Sequence, residues 1–423
     1  MAKEKAPTVK ISTQYGDLMQ QKRTYDQLEV KVQNISTGSL IFDIFTGGGY
    51  SPGISRFVAP PEHGKTLQAL TWAREWLLHY GDKGEVHYFD CEGRLTPKKL
   101  NLSGITKIKG FEERFTAYKY NVYDDIAAFL YDLTMNNPEE KHYFIVFDSL
   151  DMLITKADTQ KNFGEAEKVG AAQVMSTLLM KKVGPYMADK GHHLYIASQI
   201  RANISTGGGN PNSPKTKMSG ANALAHGSDL TGEIQKNYGG NDGMFIFENP
   251  GAKTVKEKGN IVGHYCTIRF LKTMNEKTGQ TIRIPIKRGA GVWHDREVCD
   301  LALAYGLIRK KSAWFELDED IEKKINQSLT EIKKLQYVEQ KVKEETEKGT
   351  SKAEIKKLKE QFEKEAEAVT YTVEKKWQGY ENLFAYLEQT PDVVDWFDKH
   401  FRANLLASSV AFDSDEGGES AFE

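Results

Sequence analysis

Hydrophobic and polar positions follow one another in a regular pattern along the first two thirds of the chain. Apolar runs that predict buried strands close at Val58 and recur over residues 86–90, 143–148 and 194–198. Apolar residues at helical spacing, which predict helices, occupy residues 67–80, 123–133 and 174–187. This alternation predicts an α/β fold, with a mostly parallel sheet and helices on both faces.

The later apolar runs lack helices between them. They cover residues 244–247, 265–271 and 281–286. We therefore expect an antiparallel meander at one edge of the sheet.

The composition changes to Lys and Glu after residue 318, while Ile and Leu recur at helical spacing. Gly349 interrupts this pattern, and the capping-box sequence from Ser351 to Glu354 restarts a helix. We predict a helical hairpin over residues 318–370, which is either a solvated structural appendage or a surface for a partner. A last helical region is predicted over residues 383–401.

A candidate phosphate-binding loop joins the first predicted strand to the first long helix. It consists of Ala59, Pro60, Pro61, Glu62, His63, Gly64, Lys65 and Thr66. Gly-Lys-Thr at a helix start is typical of such loops, because backbone N–H groups there point at phosphates. Lys65 would reach the β- and γ-phosphates, and the Thr66 hydroxyl would bind Mg²⁺. The alternative is an ordinary strand-to-helix turn.

Three polar side chains follow other predicted strands. Asp148 ends an apolar strand, where a second Mg²⁺ ligand would lie, although it could instead cap the next turn. Glu92, preferred to Asp90, could deprotonate an attacking water, or it is a solvated loop carboxylate. Gln199 could sense a γ-phosphate, although a Gln at a strand end is usually a satisfied polar group.

Two long loops follow the strands that end near Asp148 and Gln199. They span residues 156–170 and 204–220, and the second is rich in Gly, Asn, Pro and Ser. Loops of this length are usually functional or disordered. Their basic side chains would suit the phosphate backbone of a nucleic acid. The candidate DNA-binding residues are Lys156, Lys168, Arg201, Asn203, Lys215 and Lys217.

Composition restricts the remaining possibilities. The formal net charge is −2, so any nucleic-acid contact must be local. The three cysteines lie far apart, which suits free thiols in a reducing compartment. The sequence shows neither a signal peptide nor a membrane-spanning run, so we expect no membrane partner and a cytoplasmic location.

With these motifs in this order, the chain resembles the RecA recombinase family, most of all its phage UvsX-type members. The resemblance covers about residues 35–315 and 379–401. It is carried by Ile-Ser-Thr-Gly-Ser-Leu at 35–40, the phosphate loop, Phe-Asp-Cys-Glu-Gly at 89–93, Ile-Val-Phe-Asp-Ser-Leu at 145–150, Ser-Gln-Ile-Arg at 198–201, the 219–224 segment and a late Ala-Trp-Phe at 313–315.

The resemblance implies a DNA-dependent ATPase that uses ATP and Mg²⁺. Such proteins form homo-oligomeric helical filaments on single-stranded DNA, pair it with duplex DNA and exchange strands. It implies Glu92 as general base, Gln199 as γ-phosphate switch, Lys65 as a catalytic lysine and Lys272 as a cation facing a neighbour's phosphates. Single-strand-binding or mediator proteins are further candidate partners, and the location would be a bacterial or phage-infected cell.

The resemblance also implies a domain organisation. From it we expect a protomer-docking arm at 1–34, a RecA-like ATPase core at 35–290 and a C-terminal domain at 291–317 and 371–406. The composition itself predicts the hairpin at 318–370 and an acidic, Gly- and Ser-rich tail at 407–423 that should be disordered. The chain departs from the family pattern at Met274, where a second cation is expected. Lys98 and Lys99 stand where a base-stacking Tyr is common, and the hairpin has no counterpart. The alternatives to a recombinase are a hexameric helicase of the same fold and a non-catalytic ATP-binding mediator.

Overall fold

The structure is a computed structural model of the 423-residue chain. It describes residues 34–162, 171–202, 216–218, 222–235, 244–249 and 257–411. The predicted docking arm up to residue 33 and the tail from residue 412 lie outside the described residues.

The strands of the described residues are β1 (Gly53–Ala59), β2 (Gly84–Asp90), β3 (Phe115–Tyr118), β4 (His142–Asp148), β5 (His193–Ala202), β6 (Thr216–Met218), β7 (Leu230–Gln235), β8 (Phe245–Phe247), β9 (Ile261–Lys272), β10 (Thr281–Lys287), β11 (Gly291–Val292), β12 (Ile308–Lys311), β13 (Trp314–Leu317) and β14 (Lys376–Gln378).

The helices are α1 (Leu40–Thr46), α2 (Lys65–Tyr80), α3 (Pro97–Ser103), α4 (Phe111–Arg114), α5 (Tyr123–Met135), α6 (Lys156–Thr159), α7 (Ala171–Lys182), α8 (Gly184–Asp189), α9 (Asn222–Gly227), α10 (His294–Ala304), α11 (Glu319–Glu347), α12 (Lys352–Ala366), α13 (Tyr380–Gln389) and α14 (Pro391–Ala411).

The centre of the molecule is a parallel sheet in the order β3–β2–β4–β5–β1–β7. Beyond β7 the strands β9, β10 and β11 continue the sheet in antiparallel pairing, with β8 on β9. Both the parallel core and the edge meander are as predicted. The α/β fold is therefore confirmed.

Alternate side chains of the central strands enter two separate cores, because successive strand residues point to opposite faces. On one face Phe144 packs in the same apolar cluster as Trp72 of α2. On the other face Ile145 packs with Ile126 of α5. Helices thus cover both faces, which explains why β4 is apolar at almost every position.

The segment at residues 35–40 forms a polar junction rather than part of the sheet. Asp43 of α1 accepts hydrogen bonds from the hydroxyls of Ser36 (2.6 Å) and Thr37 (2.7 Å). Arg402 of α14 reaches the same carboxylate at 3.1 Å. Glu297 of α10 accepts the Leu40 N–H at 3.0 Å, and burial raises the pKa of Glu297 to about 8. The segment therefore ties the start of the sheet domain to the C-terminal helices.

The C-terminal part combines a small sheet with helices. Strands β12, β13 and β14 pair antiparallel. The helices α11 and α12 form the predicted hairpin, and Ser351 and Glu354 form the predicted capping box. Val338 and Phe362 are buried with Ala366 in a small apolar cluster of their own.

Two predicted helices are each divided in the structure. The 174–187 prediction is wrong in its continuity, since α7 ends at Lys182 and α8 begins at Gly184. Pro185 in the first turn of α8 explains the break, because proline lacks an N–H and disfavours helix before it. The 383–401 region is likewise divided into α13 and α14, with Pro391 starting the latter, and α14 continues to Ala411, past the predicted tail boundary at residue 407.

Candidate nucleotide-binding site

The carboxyl ends of four parallel strands meet beside the phosphate-binding loop. Ala59, the last residue of β1, lies opposite Gln199 of β5. Asp90 of β2 lies opposite Asp148 of β4. The sheet therefore brings the polar residues predicted after these strands to one edge, which is where ligands bind in open α/β sheets.

The loop from Pro60 to Gly64 leads directly into α2. Gly64 is the residue before the helix and has a φ of +86°, a left-handed conformation that glycine adopts without strain. The first turn of α2 contains no acidic residue. The N-terminal N–H groups of this helix are thus suited to an anion.

Lys65 lies folded back over the loop. Its Nζ donates to the carbonyl oxygens of Ala59 (2.9 Å) and Pro60 (3.0 Å), and the residue is 8% exposed. Burial lowers the pKa of Lys65, while the nearby Asp148 and Glu92 oppose this effect. A phosphate would offer this ammonium group stronger, charge-assisted partners than two carbonyls.

Thr66 and Asp148 are the residues suited to Mg²⁺. The Thr66 hydroxyl donates to Asp148 Oδ2 at 2.7 Å, and the Tyr88 hydroxyl donates to the same oxygen. The described residues contain no cluster of three or more His, Cys, Asp or Glu that could hold a metal by itself. Mg²⁺ is commonly held by one or two protein oxygens together with substrate phosphates.

Glu92 faces the site, whereas Asp90 does not. Glu92 Oε1 accepts the Ser149 hydroxyl at 2.8 Å and the Gln199 side-chain amide at 3.2 Å. The two carboxylate oxygens of Asp90 accept the backbone N–H groups of Arg94 (2.9 Å) and Leu95 (3.0 Å). Asp90 therefore holds the turn that carries Glu92.

Gln199 connects this cluster to the turn after β4. Its side chain contacts Glu92, and its backbone N–H donates to Asp151 Oδ2 at 2.6 Å. Ser149, Asp151 and Tyr88 were not among the predicted site residues. Ser149 and Asp151 directly follow the strand-terminal Asp148, which was the available signal for them.

Lys272 is not brought to this edge. It ends β9 opposite Thr231, near the start of β7, and β7 pairs with β1 from Ser55 onward. Lys272 therefore lies toward the opposite end of the sheet from Lys65, and its Nζ donates to the His226 carbonyl at 2.6 Å. The side chain of nearby Met274 is 76% exposed.

A basic cleft lies beside α2. It has a volume of about 620 Å³ and is lined by residues of α2, α3, the short turn after α3 and the β10–β11 turn, including Arg74, Lys98 and Lys107. Lys99 does not line it and instead donates to the Arg94 carbonyl at 2.8 Å. Of the two lysines in place of a stacking Tyr, only Lys98 faces this cleft.

Three of the six candidate DNA-binding residues lie outside the described residues, namely Lys168, Asn203 and Lys215. The backbone of Arg201 pairs with that of Lys217 between β5 and β6. Lys156 is exposed and forms an ion pair with Asp125 at 3.1 Å. Within the described part of the chain, no helix has the length and apolar character needed to cross a bilayer.

The fold is a mostly parallel α/β sheet flanked by helices, and its carboxyl edge carries the candidate phosphate-binding loop at the start of α2. Protein RecA of Bacillus thuringiensis (strain Al Hakam) and that of Bacillus cereus are each 24% identical over 308 residues, covering 70% of this chain and 78% of the relative. Protein RecA of Bacillus licheniformis is 23% identical over 297 residues, covering 70% and 76%. No protein-family model matches. The distant homology to RecA over 70% of the chain supports a place in the RecA family.

Proposed function

We propose that the chain is a DNA-dependent ATPase of UvsX type, which forms helical filaments on single-stranded DNA and catalyses homologous pairing and strand exchange. The observation that carries this proposal is the contact of Gln199 with Glu92 beside the phosphate loop. This contact joins a candidate base for hydrolysis to the strand that leads into the glycine-rich loop. It supports a physical path between the candidate nucleotide site and the candidate DNA-binding loop after β5.

In the proposed mechanism, the N–H groups of the loop and Lys65 bind the β- and γ-phosphates of ATP. Thr66 and Asp148 would hold Mg²⁺, which would supply positive charge that neutralises the phosphates. Glu92 takes a proton from the attacking water, and the Ser149 hydroxyl orients its carboxylate.

Gln199 has two alternative acceptors in this mechanism. In the structure its amide donates to Glu92. A γ-phosphate oxygen, being an anion, would compete for that amide and would release Glu92 Oε1 for the water. The shift of Gln199 would pass along β5 to the loop after residue 202, and thus nucleotide occupancy would order the DNA loops.

A filament would complete the site from a neighbour. Lys272 lies toward the end of the sheet remote from Lys65, so a role at a triphosphate requires a second protomer. The arm at 1–34 would dock on the adjacent protomer. We place the protein in the cytoplasm of a bacterial or phage-infected cell, with single-strand-binding or mediator proteins as further partners.

Electron microscopy of the protein on single-stranded DNA tests this function. With ATP and Mg²⁺ we expect open helices along the DNA, and with Lys65→Ala we expect none, since the variant lacks the phosphate-binding ammonium. Closed rings would favour the hexameric helicase instead. A protein that binds ATP but neither assembles on DNA nor hydrolyses ATP would favour the non-catalytic mediator.

A further inference from the structure

An arginine lies fully buried in the strand that precedes the phosphate loop. Arg56 of β1 is 1% exposed, and its Nε donates to the Ser198 hydroxyl at 3.2 Å. Removing a guanidinium group from water is unfavourable unless the group is paired and hydrogen-bonded. A fold that keeps one in its central strand therefore invites a specific explanation.

The side chain of Arg56 projects to the face opposite α2. Its neighbour Phe57 belongs to the apolar cluster that contains Trp72. Ile54, two residues before Arg56, belongs to the other cluster, together with Ile196 of β5. Because alternate strand residues share a face, Arg56 and Ser198 lie on this second face, beneath the turn that follows β4.

Asp151 in that turn is the nearby acidic partner. Burial lowers the pKa of Arg56, and the charge of Asp151 opposes this effect. One oxygen of Asp151 accepts the Gln199 N–H at 2.6 Å, and the other is buried with no hydrogen-bond partner among the described residues. Arg56 thus contacts the residue that precedes Gln199, and Asp151 holds the N–H of Gln199 itself.

We propose that Arg56 is a positioning residue that fixes the end of β5, and with it Gln199, relative to the phosphate-loop strand. Arg56 holds Ser198, the residue before Gln199, while its charge balances Asp151, which holds the Gln199 N–H. The proposal rests on the proposed function, because it assigns Arg56 to the coupling between ATP hydrolysis and DNA. Arg56 contacts no reacting atom in the proposed mechanism of ATP hydrolysis.

The expected signature is a loss of coupling without a loss of nucleotide binding. In Arg56→Met the end of β5 is released, so we expect DNA-stimulated kcat to fall about 10- to 100-fold, the range for one hydrogen bond to a charged group. The KM for ATP should stay within about twofold, since no loop donor is changed. Arg56→Lys keeps the charge but not the planar fork, and should recover part of the loss.

Arg296→Met is the matched control. Arg296 is also buried, at 7% exposure, and donates from Nε to the Tyr265 hydroxyl at 3.0 Å, far along the chain in α10. If Arg56 only stabilises the fold, both Met variants should lose thermal stability and neither should lose DNA stimulation. That result would overturn the proposal.

Ser198→Ala keeps the test decisive if Arg56→Met does not fold. It removes the hydroxyl that Arg56 contacts and should also lower the DNA stimulation of ATP hydrolysis. The fold loss in the double variant Arg56→Lys/Ser198→Ala should be smaller than the product of the two single-variant losses, because both changes affect the same contact. Full DNA stimulation in Ser198→Ala and Arg56→Lys would refute the role of Arg56. A wild-type ATPase that DNA does not stimulate would instead refute the proposed function, and this inference with it.

Discussion

Replacing Glu92 with Gln separates catalysis from binding at this site. Glu92 Oε1 accepts hydrogen bonds from Ser149 at 2.8 Å and from Gln199 at 3.2 Å. The amide oxygen of Gln can accept the same two bonds. The variant should therefore keep the fold of the site and its ability to bind ATP and DNA, while it loses the group that accepts a proton.

The size of the effect follows from that single role. One general acid–base group contributes about 10²- to 10⁴-fold to a rate, which corresponds to about 2.7–5.5 kcal/mol of activation free energy. The loss should appear in kcat rather than in the KM for ATP, because Lys65 and the loop N–H groups are unchanged.

Steady-state ATP hydrolysis in the presence of single-stranded DNA measures this change. Glu112→Gln, which removes a carboxylate at an exposed position of α4, is the control for the lost charge and should hydrolyse ATP like the wild type. If Glu92→Gln hydrolyses ATP at the wild-type rate, Glu92 is not the base and the mechanism is wrong.

Two further predictions concern stability. Burial lowers the pKa of His87 and His192 to about 4 and that of His193 to about 3. Each histidine therefore contributes fully to the free energy of unfolding above its unfolded-state pKa of about 6.5. This contribution is lost as the pH falls from about 6.5 toward the folded-state pKa. Urea titrations should show a loss of about 2 kcal/mol per histidine between pH 6.5 and 5, and equal stability at both pH values would contradict their neutral burial. Phe362→Ala should cost the hairpin about 3–5 kcal/mol, seen as faster hydrogen exchange in α11 and α12. ATP hydrolysis should be unchanged, and a lower rate would show that the hairpin supports the site.

Local patterns were sufficient for most elements of the sheet. The strands around Phe144 and Leu194 were predictable because buried parallel strands are apolar on both faces. The loop before Lys65 was recognisable because its chemistry requires fixed residues at fixed spacing. Helix breaks were less well predicted. Apolar residues recur at helical spacing on both sides of Pro185, so the pattern predicted one continuous helix where the proline divides it.

The buried polar contacts could not be predicted from the sequence. Arg56 and Ser198 are separated by 142 positions, and Asp43 and Arg402 by 359. Contacts between residues so far apart leave no repeating pattern in the sequence. They can be recognised only once the order of the strands and helices in the fold is known. Glu92 was preferred to Asp90 from the sequence, but the role of Asp90 in holding the turn is visible only from its contacts with the N–H groups of Arg94 and Leu95.

The role of Lys272 depends on assembly in the same way. Its place toward the far end of the sheet explains why no arrangement within one protomer brings it to Lys65. If Lys272 acts across a junction, a mixture of Lys272→Ala with Lys65→Ala should recover part of the ATP hydrolysis that each variant lacks alone, because some junctions then pair an intact Lys65 with an intact Lys272. No recovery in such mixtures would argue against a shared site.

Nucleotide and DNA occupancy are proposed to depend on each other through Gln199. ATP hydrolysis by the wild type, measured with and without single-stranded DNA over a series of salt concentrations, tests this dependence. We expect a rate that rises with DNA and a stimulation that weakens with salt, because phosphate contacts release counterions. An equal rate with and without DNA at every salt concentration would show that the two sites are independent.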